Sequence, residues 1–248
     1  MPRLLITVCT YNELDNIRQL VPALRAVAPD ADVLVIDDNS PDGTSAAVTE
    51  LQASDEHVLL LMRTGKLGLG TAMLAGFRYG IDHEYDQLLN LDADFSHDPR
   101  YIPELLSCMD SCDVAIGSRY VPGGGAHDWN WYRRLISRSI NLFARALLGL
   151  TTRDNSGSYR CYRVSKLALI DWDRMVCPGY GFLEEVIYRC RAVGCTFAES
   201  PIMFEDRRHG VTKINWKEAV GAVTAIIQLA SDRMRGVPVA VSDDFEQK

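Results

Sequence analysis

Short apolar, β-branched runs alternate along the first half of the chain with longer segments of amphipathic spacing. The apolar runs predict strands over residues 4–9, 33–36, 58–62, 88–91 and 114–116. The segments between them predict helices over residues 14–27, 45–54, 71–79 and 101–109. Strands that alternate with helices indicate an α/β fold with a doubly wound, mostly parallel sheet and helices on both faces.

Ionisable residues follow the predicted carboxyl ends of five strands. In a doubly wound sheet, ligands bind just outside those ends. The residues are Glu13, Asp38, Lys66, Asp92, Asp94 and Arg119. Their placement predicts a binding site for a charged ligand at this edge of the sheet.

The pair Asp92 and Asp94 is the most informative of these positions. Side chains alternate along extended backbone, so both carboxylates are expected to point the same way at the end of the fourth strand. Two neighbouring carboxylates repel unless a cation lies between them, and Mg²⁺ or Mn²⁺ prefers such oxygen ligands. A solvated acidic turn is the competing interpretation of this pair alone.

Composition excludes several classes of function. A net charge of −7 argues against a nucleic-acid-binding protein. The seven cysteines form no CxxC, which favours reduced thiols in the cytosol over disulfides or a zinc site. The start of the chain lacks a signal-peptide pattern. Neither a GxxxxGK[ST] loop nor a GxGxxG after the first strand is present, which excludes those two nucleotide-binding motifs.

Eight motifs carry a more specific resemblance. They are TYNE (10–13), DDNSPDGT (37–44), KLGLGTA (66–72), DADFSHDP (92–99), GSRY (117–120), DNSGSYRCYR (154–163), GYGF (179–182) and FEDRRHGVTK (204–213). In this order the chain resembles the dolichol-phosphate (polyprenyl-phosphate) mannosyltransferases, which are inverting GT-A glycosyltransferases of family 2. The resemblance implies a GT-A fold with a C-terminal extension on the acceptor side.

The resemblance also implies roles for individual residues on the donor side. GDP-mannose would be held by Cys9, Tyr11, Glu13, Ile36, Asp38, Lys66, Asp92, Ala93, Asp94, Arg207 and Lys213. The divalent metal, Mg²⁺ or Mn²⁺, would be held by Asp92, Asp94 and Ser96. The residues implied in catalysis are Asp94, Arg119 and Arg207, and Glu185 would orient a sugar hydroxyl or an arginine in the sugar pocket.

On the acceptor side, the resemblance implies that Arg119, Arg133 and Ser137 bind the phosphate of a polyprenyl lipid. Arg133 and Ser137 begin an amphipathic helix whose apolar positions share one face. A basic row on the same helix (Arg134, Arg138 and Arg145) would face anionic headgroups, whereas an ordinary surface helix with solvated arginines is the alternative. The aromatic residues before and at its start (Trp129, Trp131 and Tyr132) suit either a membrane interface or core packing.

The expected reaction is transfer of mannose from GDP-mannose to a polyprenyl monophosphate. A phosphate monoester is already anionic near neutrality, so it needs no protein base, and a single displacement gives a β-linked product. A sugar hydroxyl as acceptor would instead require a carboxylate base, for which Glu184 and Glu185 are candidates. A UDP-linked glucose or N-acetylglucosamine donor and a non-catalytic membrane-associated binding subunit are the alternative functions.

One GT-A domain is expected over residues 1–237, with a nucleotide-sugar half (1–117) and an acceptor half (118–237), followed by a flexible tail (238–248). The apolar segment 220–229 is shorter than the roughly 20 residues that span a bilayer, and it predicts a packed helix. The chain is therefore expected in the cytoplasm, peripheral on the cytoplasmic face of a membrane or bound to a membrane-anchoring partner.

Overall fold

The computed structural model describes residues 2–127, 129–176, 179, 181–205 and 216–236, with the backbone alone for 216–220 and 222. The strands are β1 (Leu4–Thr10), β2 (Asp32–Asp37), β3 (Val58–Met62), β4 (Gln87–Asp92), β5 (Val114–Ser118), β6 (Gly125–Ala126), β7 (Arg160–Arg163), β8 (Phe197–Pro201) and β9 (Met203–Phe204). The helices are α1 (Leu14–Val27), α2 (Thr44–Gln52), α3 (Leu69–Asp82), α4 (Ile102–Cys108), α5 (Trp131–Leu148), α6 (Val164–Leu167), α7 (Phe182–Ala192) and α8 (Trp216–Met234). Short 3₁₀ turns lie at Pro99–Tyr101 and Trp172–Arg174.

A seven-stranded sheet in the order β3-β2-β1-β4-β7-β5-β8 forms the centre of the fold. All its neighbouring pairs are parallel except those of β7, which runs antiparallel to both β4 and β5. The five predicted strands and four predicted helices of the first half are therefore confirmed, with small differences at their ends. Strands β7 and β8 of the second half were not predicted.

Two apolar cores cover the two faces of the sheet because side chains alternate along each strand. Leu5 and Ile36 belong to the core under α3, α5, α7 and α8, whereas Ile6 and Val35 belong to the core under α1, α2 and α4. This alternation confirms the doubly wound arrangement. Helix α3 approaches the sheet closely at Gly76, where a Cβ atom would lie 2.9 Å from Cδ1 of Ile36.

Helix α8 contains the apolar segment that the sequence predicted as a packed helix. Ile226, Leu229 and Ala230 are buried in the core shared with α5 and α7, and Ala225 is also buried. Within the described ranges, no helix combines the length and the apolar character needed to cross a bilayer. The six cysteines of those ranges all carry free thiols.

Candidate active site

Strand β7 brings a second-half loop to the predicted ligand edge. Strands β1, β2, β4 and β5 all end at this edge, and because β7 runs the opposite way, its first residue lies there too. The loop at 154–159 therefore meets the loops that follow β4 and β5. The site combines residues far apart in the sequence, which is why their contacts could not be predicted from local pattern.

The loops after β1 and β2 hold each other in place. Asp42 accepts hydrogen bonds from the backbone N–H of Leu14 (3.1 Å) and Thr44 (3.0 Å), while Thr44 Oγ1 accepts one from the N–H of Glu13 (3.2 Å). Burial opposes ionisation of Asp42, but the hydrogen bonds from Thr44 and Leu14 outweigh it and lower the pKa of this carboxyl. These hydrogen bonds fix the loop that contains Tyr11 and Glu13.

Asp38 forms a buried ion pair with a residue whose role the sequence did not reveal. Its Oδ1 lies 2.9 Å from Nε of Arg63, and both side chains are only 7% exposed. Its Oδ2 accepts a hydrogen bond from the N–H of Leu67 (3.1 Å). Lys66 lies beside this contact, with Nζ 4.4 Å from the centre of the Tyr11 ring. Three predicted donor-side residues, Tyr11, Asp38 and Lys66, therefore surround one region.

The other predicted donor-side positions lie on adjacent strands. Cys9 pairs in register with Ile36 on one side and with Asp92 on the other. Burial raises the pKa of the Cys9 thiol, so this cysteine is neutral near pH 7. Ile36 and Ala93 are both buried beside this region.

The turn after β4 differs from the predicted geometry. Strand β4 ends at Asp92, and Asp94 lies in the following turn, where Phe95 adopts a positive φ of 62°. Strand alternation therefore does not set the direction of Asp94, and that argument was wrong. Instead, Asp94 Oδ1 accepts hydrogen bonds from the N–H (3.1 Å) and Oγ (2.5 Å) of Ser96, and both residues are buried. The predicted pair of Asp94 and Ser96 is in direct contact.

Asp92 is fixed by groups from two other segments. Its Oδ1 accepts a hydrogen bond from Oγ of Ser158 (2.6 Å), and its backbone N–H donates to Nδ1 of His97 (3.2 Å). Burial lowers the pKa of His97 and outweighs the opposing effect of Asp92, so the imidazole is neutral with Nδ1 as an acceptor. Neither Ser158 nor His97 was assigned a role from the sequence.

The chemistry of these side chains fits a divalent cation. The turn offers two carboxylates, one buried and one about one-third exposed, together with the Ser96 hydroxyl. Within the described residues, no group of three or more His, Cys, Asp or Glu side chains is arranged to hold a metal. A set of few protein oxygens suits Mg²⁺ or Mn²⁺, which keep positions for phosphate oxygens and water.

Arg119, which follows β5, is held by a buried carboxylate. Its Nε and Nη2 each donate to Asp154 at 2.7 Å, and Nη2 also donates to Oγ of Ser156 at 2.9 Å. Burial opposes ionisation of Asp154, but Arg119 outweighs it and holds the pKa of the carboxyl below its usual value. The remaining nitrogen, Nη1, donates to none of the described residues.

Aromatic rings connect the predicted acceptor-side residues. The ring of Trp129 lies 4.2 Å from the guanidinium carbon of Arg133 and 5.4 Å from that of Arg119. Tyr120 contacts Arg119 through its ring (5.3 Å) and Ser137 through its hydroxyl (2.6 Å). The structure therefore brings the three acceptor-side residues into one group, which we call the arginine cluster (Arg119, Arg133 and Ser137 with Tyr120 and Trp129).

Phe204 and His97 join the arginine cluster to the acidic turn. The Phe204 ring packs edge-on against Trp129 (5.5 Å) and against His97 (5.4 Å), and it lies 5.6 Å from the guanidinium carbon of Arg119. Because His97 also bonds the backbone of Asp92, the carboxylate side and the arginine side are separated by a single layer of aromatic rings.

The two glutamates at the start of α7 have different surroundings. Glu185 has no exposed surface, accepts hydrogen bonds from the N–H of Val176 (3.0 and 3.1 Å), and forms an ion pair with Arg189 (2.7 Å). It thus orients an arginine, which was one of its two predicted roles. Burial raises the pKa of Glu184, and Arg160, Asp154 and Arg119 act on it electrostatically. Glu184 is therefore influenced electrostatically by Arg119 of the arginine cluster.

Arg207 and Lys213 lie outside the described residues, as do the tail at 238–248 and part of the GYGF motif. Of the aromatic residues near α5, Trp129 is buried, whereas Trp131 and Tyr132 are 76% and 56% exposed. Core packing is therefore the correct interpretation for Trp129, whereas Trp131 and Tyr132 are exposed.

Solved structures share the fold. Glucosyl-3-phosphoglycerate synthase from Mycobacterium tuberculosis in complex with Mn²⁺, UDP and glucosyl-3-phosphoglycerate matches 93% of this chain and 80% of its own, with a TM-score of 0.66 and 13% identity. A second structure of that enzyme, with Mn²⁺, UDP-glucose and phosphoglyceric acid, matches equally well at 14% identity. The fold is therefore that of GT-A glycosyltransferases.

Closer relatives are found by sequence. The undecaprenyl-phosphate mannosyltransferase of Micrococcus luteus is 41% identical over 213 residues, which are 86% of this chain and 88% of that protein. The polyprenol monophosphomannose synthase of Mycolicibacterium smegmatis is 40% identical over 241 residues, which are 95% and 91% of the two chains. Residues 5–170 match the profile of Glycosyl transferase family 2. The chain therefore belongs to glycosyltransferase family 2.

Proposed function

We propose that this chain transfers mannose from GDP-mannose to a polyprenyl monophosphate and releases a polyprenyl phosphate β-mannose. The observation that carries the proposal is the arginine cluster, which lies one aromatic layer away from the acidic turn of Asp92 and Asp94. The names of two relatives at about 40% identity support a polyprenyl phosphate acceptor and mannose as the sugar.

The arginine cluster suits a phosphate monoester as the attacking group. Arg119 is pre-oriented by Asp154, so its Nη1 is fixed in direction before any ligand arrives. The Ser137 hydroxyl and the Arg133 guanidinium supply further donors within the same group. The second pKa of a phosphate monoester is roughly 6, so the acceptor attacks without losing a proton to the protein.

The acidic turn suits the diphosphate side of the donor. Asp94 and Ser96, with Asp92 beside them, would hold Mg²⁺ or Mn²⁺, which supplies charge neutralisation for the departing diphosphate when bound. Asp38, Tyr11 and Lys66 would contact the nucleoside, with Arg63 fixing the Asp38 carboxylate. The family resemblance implies that Arg207 and Lys213 reach the diphosphate.

Attack by a phosphate needs no protein base, whereas attack by a sugar hydroxyl needs one. The Glu185 carboxylate is engaged by Val176 and Arg189, so it is poorly suited to accept a proton from a ligand. Glu184 is only 4% exposed, so its carboxyl group is poorly placed to take a proton from a ligand, and burial raises its pKa.

We further propose that the chain acts peripherally at the cytoplasmic face of a membrane. Helix α5 exposes Trp131, Tyr132, Leu135 and Leu142 next to the arginine cluster. Aromatic and aliphatic side chains of this kind suit the headgroup region of a bilayer, where a polyprenyl phosphate presents its phosphate.

A donor screen tests the proposed reaction. The purified chain is incubated with a short-chain polyprenyl phosphate, Mg²⁺ or Mn²⁺, and radiolabelled GDP-mannose, UDP-glucose or UDP-N-acetylglucosamine, and the label in the lipid phase is counted. We expect label from GDP-mannose alone, and only with the metal and the lipid phosphate present. Transfer from a UDP-sugar in its place would replace the donor assignment, and binding of donor without any transfer would favour a non-catalytic subunit.

A further inference from the structure

A cavity of about 360 Å³ opens next to the arginine cluster. It is lined by Tyr120, Arg138, Asn141, Leu142, Arg145 and Arg153. Three of these six side chains are guanidinium groups and none is a carboxylate. The lining of the cavity is therefore positively charged, although the whole chain has a net charge of −7. The acceptor-side residues Arg119, Arg133 and Ser137 do not line it.

The fold assembles the three arginines from two segments. Arg138, Leu142 and Arg145 are spaced four and three residues apart on α5, so they lie along one side of the helix. The helix ends at Gly149 with a positive φ of 68°, and Arg153 enters the cavity wall from the loop that follows. Glu199 accepts the backbone N–H of Arg153 (2.8 Å) and fixes that loop without lining the cavity.

The arginines of the cavity lack anionic partners within the described part of the chain. No ion pair there involves Arg138, Arg145 or Arg153. In addition, Nε of Arg145 is buried and has no hydrogen-bond acceptor. A buried donor without an acceptor is costly, and three neighbouring guanidinium groups repel one another. A bound anion would relieve both effects, and planar guanidinium groups match phosphate oxygens well.

The cavity is built on the same framework as the arginine cluster. Asn141, which is 3% exposed, donates to Oγ of Ser156 (3.0 Å) and accepts from the N–H of Asn155 (2.6 Å). Ser156 in turn bonds Arg119. The rigid wall that positions the acceptor-side arginine is therefore also a wall of the cavity, although the two sets of cationic groups are different.

We propose that this cavity is a second anion site, which binds a phosphate group of an anionic lipid headgroup separately from the acceptor phosphate. The apolar surface beside the cavity supports a lipid as the source of the phosphate. Leu142, which lines the cavity, is 64% exposed, and Leu135, about two helical turns before Leu142, is 55% exposed. Free phosphate is the other source of the same chemistry. Anion binding in this cavity does not require mannosyl transfer.

The test compares single charge removals on one helix. R145Q removes a cavity arginine, and R134Q removes an exposed arginine of α5 that instead donates to the carbonyl of Ala126 (2.9 Å). The full chain is sedimented with phosphatidylcholine vesicles that contain or lack phosphatidylglycerol. R134Q should weaken binding to the anionic vesicles about fivefold, as for one basic residue near a charged surface. R145Q should weaken it more than tenfold, and R138Q/R145Q/R153Q about 100-fold.

Calorimetry with inorganic phosphate distinguishes the two sources. Phosphate binding that R145Q abolishes, without a difference between the vesicles, would support the anion site with free phosphate as its ligand. Equal effects of R134Q and R145Q on the vesicles, with no binding of phosphate, would overturn the proposal. Thermal unfolding and GDP binding verify that each variant is folded. If the triple variant unfolds, the single variant R153Q, which changes an exposed residue, is compared with R134Q in the same vesicle assay.

Discussion

The carboxylate of Asp154 holds the guanidinium group of Arg119 through two hydrogen bonds of 2.7 Å, and Asp154 has no exposed surface. This pair joins the end of β5 to the loop before β7. Loss of one partner of a buried ion pair leaves the other charge uncompensated, whereas partly exposed pairs contribute much less.

Asp154→Asn should therefore destabilise the fold and misplace Arg119. We expect the free energy of unfolding, measured with urea, to fall by about 3–5 kcal/mol. Asp113→Asn is the matched control, because its ion pair with Arg163 is partly exposed and lies at the start of β5. A loss for Asp154→Asn no larger than that of the control would contradict a supporting role for this carboxylate.

Asp94→Ala should slow transfer strongly while the protein stays folded. Removal of a group that stabilises developing charge typically lowers the rate by about 10²–10³-fold. Rates are measured with saturating donor and lipid phosphate in a series of Mn²⁺ concentrations. Asp110→Ala, at an exposed position after α4, is the control and should keep its rate. Near-normal, metal-dependent turnover of Asp94→Ala would remove this residue from the site.

Arg133→Ala should separate acceptor use from donor binding. Its guanidinium group packs on Trp129, within the arginine cluster, whereas Asp38 and Lys66 contact Arg63 and Tyr11. We expect KM for the lipid phosphate to rise about tenfold or more, since a charge-assisted bond contributes about 1.5–3 kcal/mol. The GDP affinity from calorimetry should change less than about twofold. Arg134→Ala controls for loss of charge on α5, and an equal loss of GDP affinity in Arg133→Ala would place Arg133 at the donor.

His97 should make the fold sensitive to mild acid. Burial lowers its pKa in the folded state, so between pH 6.5 and that lowered value the unfolded chain binds more protons than the folded one. Stability from this group is therefore complete above pH 6.5 and decreases as the pH falls, by at most about 1.4 kcal/mol per pH unit.

The comparison with His97→Gln isolates this effect. Gln can still accept the hydrogen bond from the N–H of Asp92 but does not titrate. Urea unfolding between pH 7.5 and 5.5 should show a steeper loss for the wild type than for the variant. Parallel pH dependences of the two proteins would show that His97 is not responsible.

The sequence predicted the first half of the fold well because its strands are continuous apolar runs, as in any parallel sheet buried on both faces. Strand β7 has the sequence Arg-Cys-Tyr-Arg, which gives no such signal. Arg160 is fully buried there because the carbonyls of Leu183 (2.8 Å) and Asn155 (2.6 Å) accept its hydrogen bonds. A local sequence pattern cannot predict hydrogen bonds to partners that are distant in the sequence.

In the candidate site, too, some residues could be predicted from the sequence and others could not. Asp92, Asp94 and Arg119 were found because they follow predicted strand ends, where ligands bind. Asp154 and Ser158 were missed as individual residues, although the motif that contains them was noted, because only the reversed direction of β7 brings them to that edge. The alternation of side chains could not predict the direction of Asp94, because the strand ends two residues earlier.

The configuration of the product tests the central claim most directly. The wild-type chain is incubated with GDP-mannose, a short polyprenyl phosphate and Mn²⁺, and the mannosyl lipid is analysed by NMR for its anomeric configuration. Direct attack by the lipid phosphate, with no covalent intermediate on the protein, predicts β-mannosyl phosphate as the product. An α-linked product, or free mannose with unchanged lipid, would contradict the account.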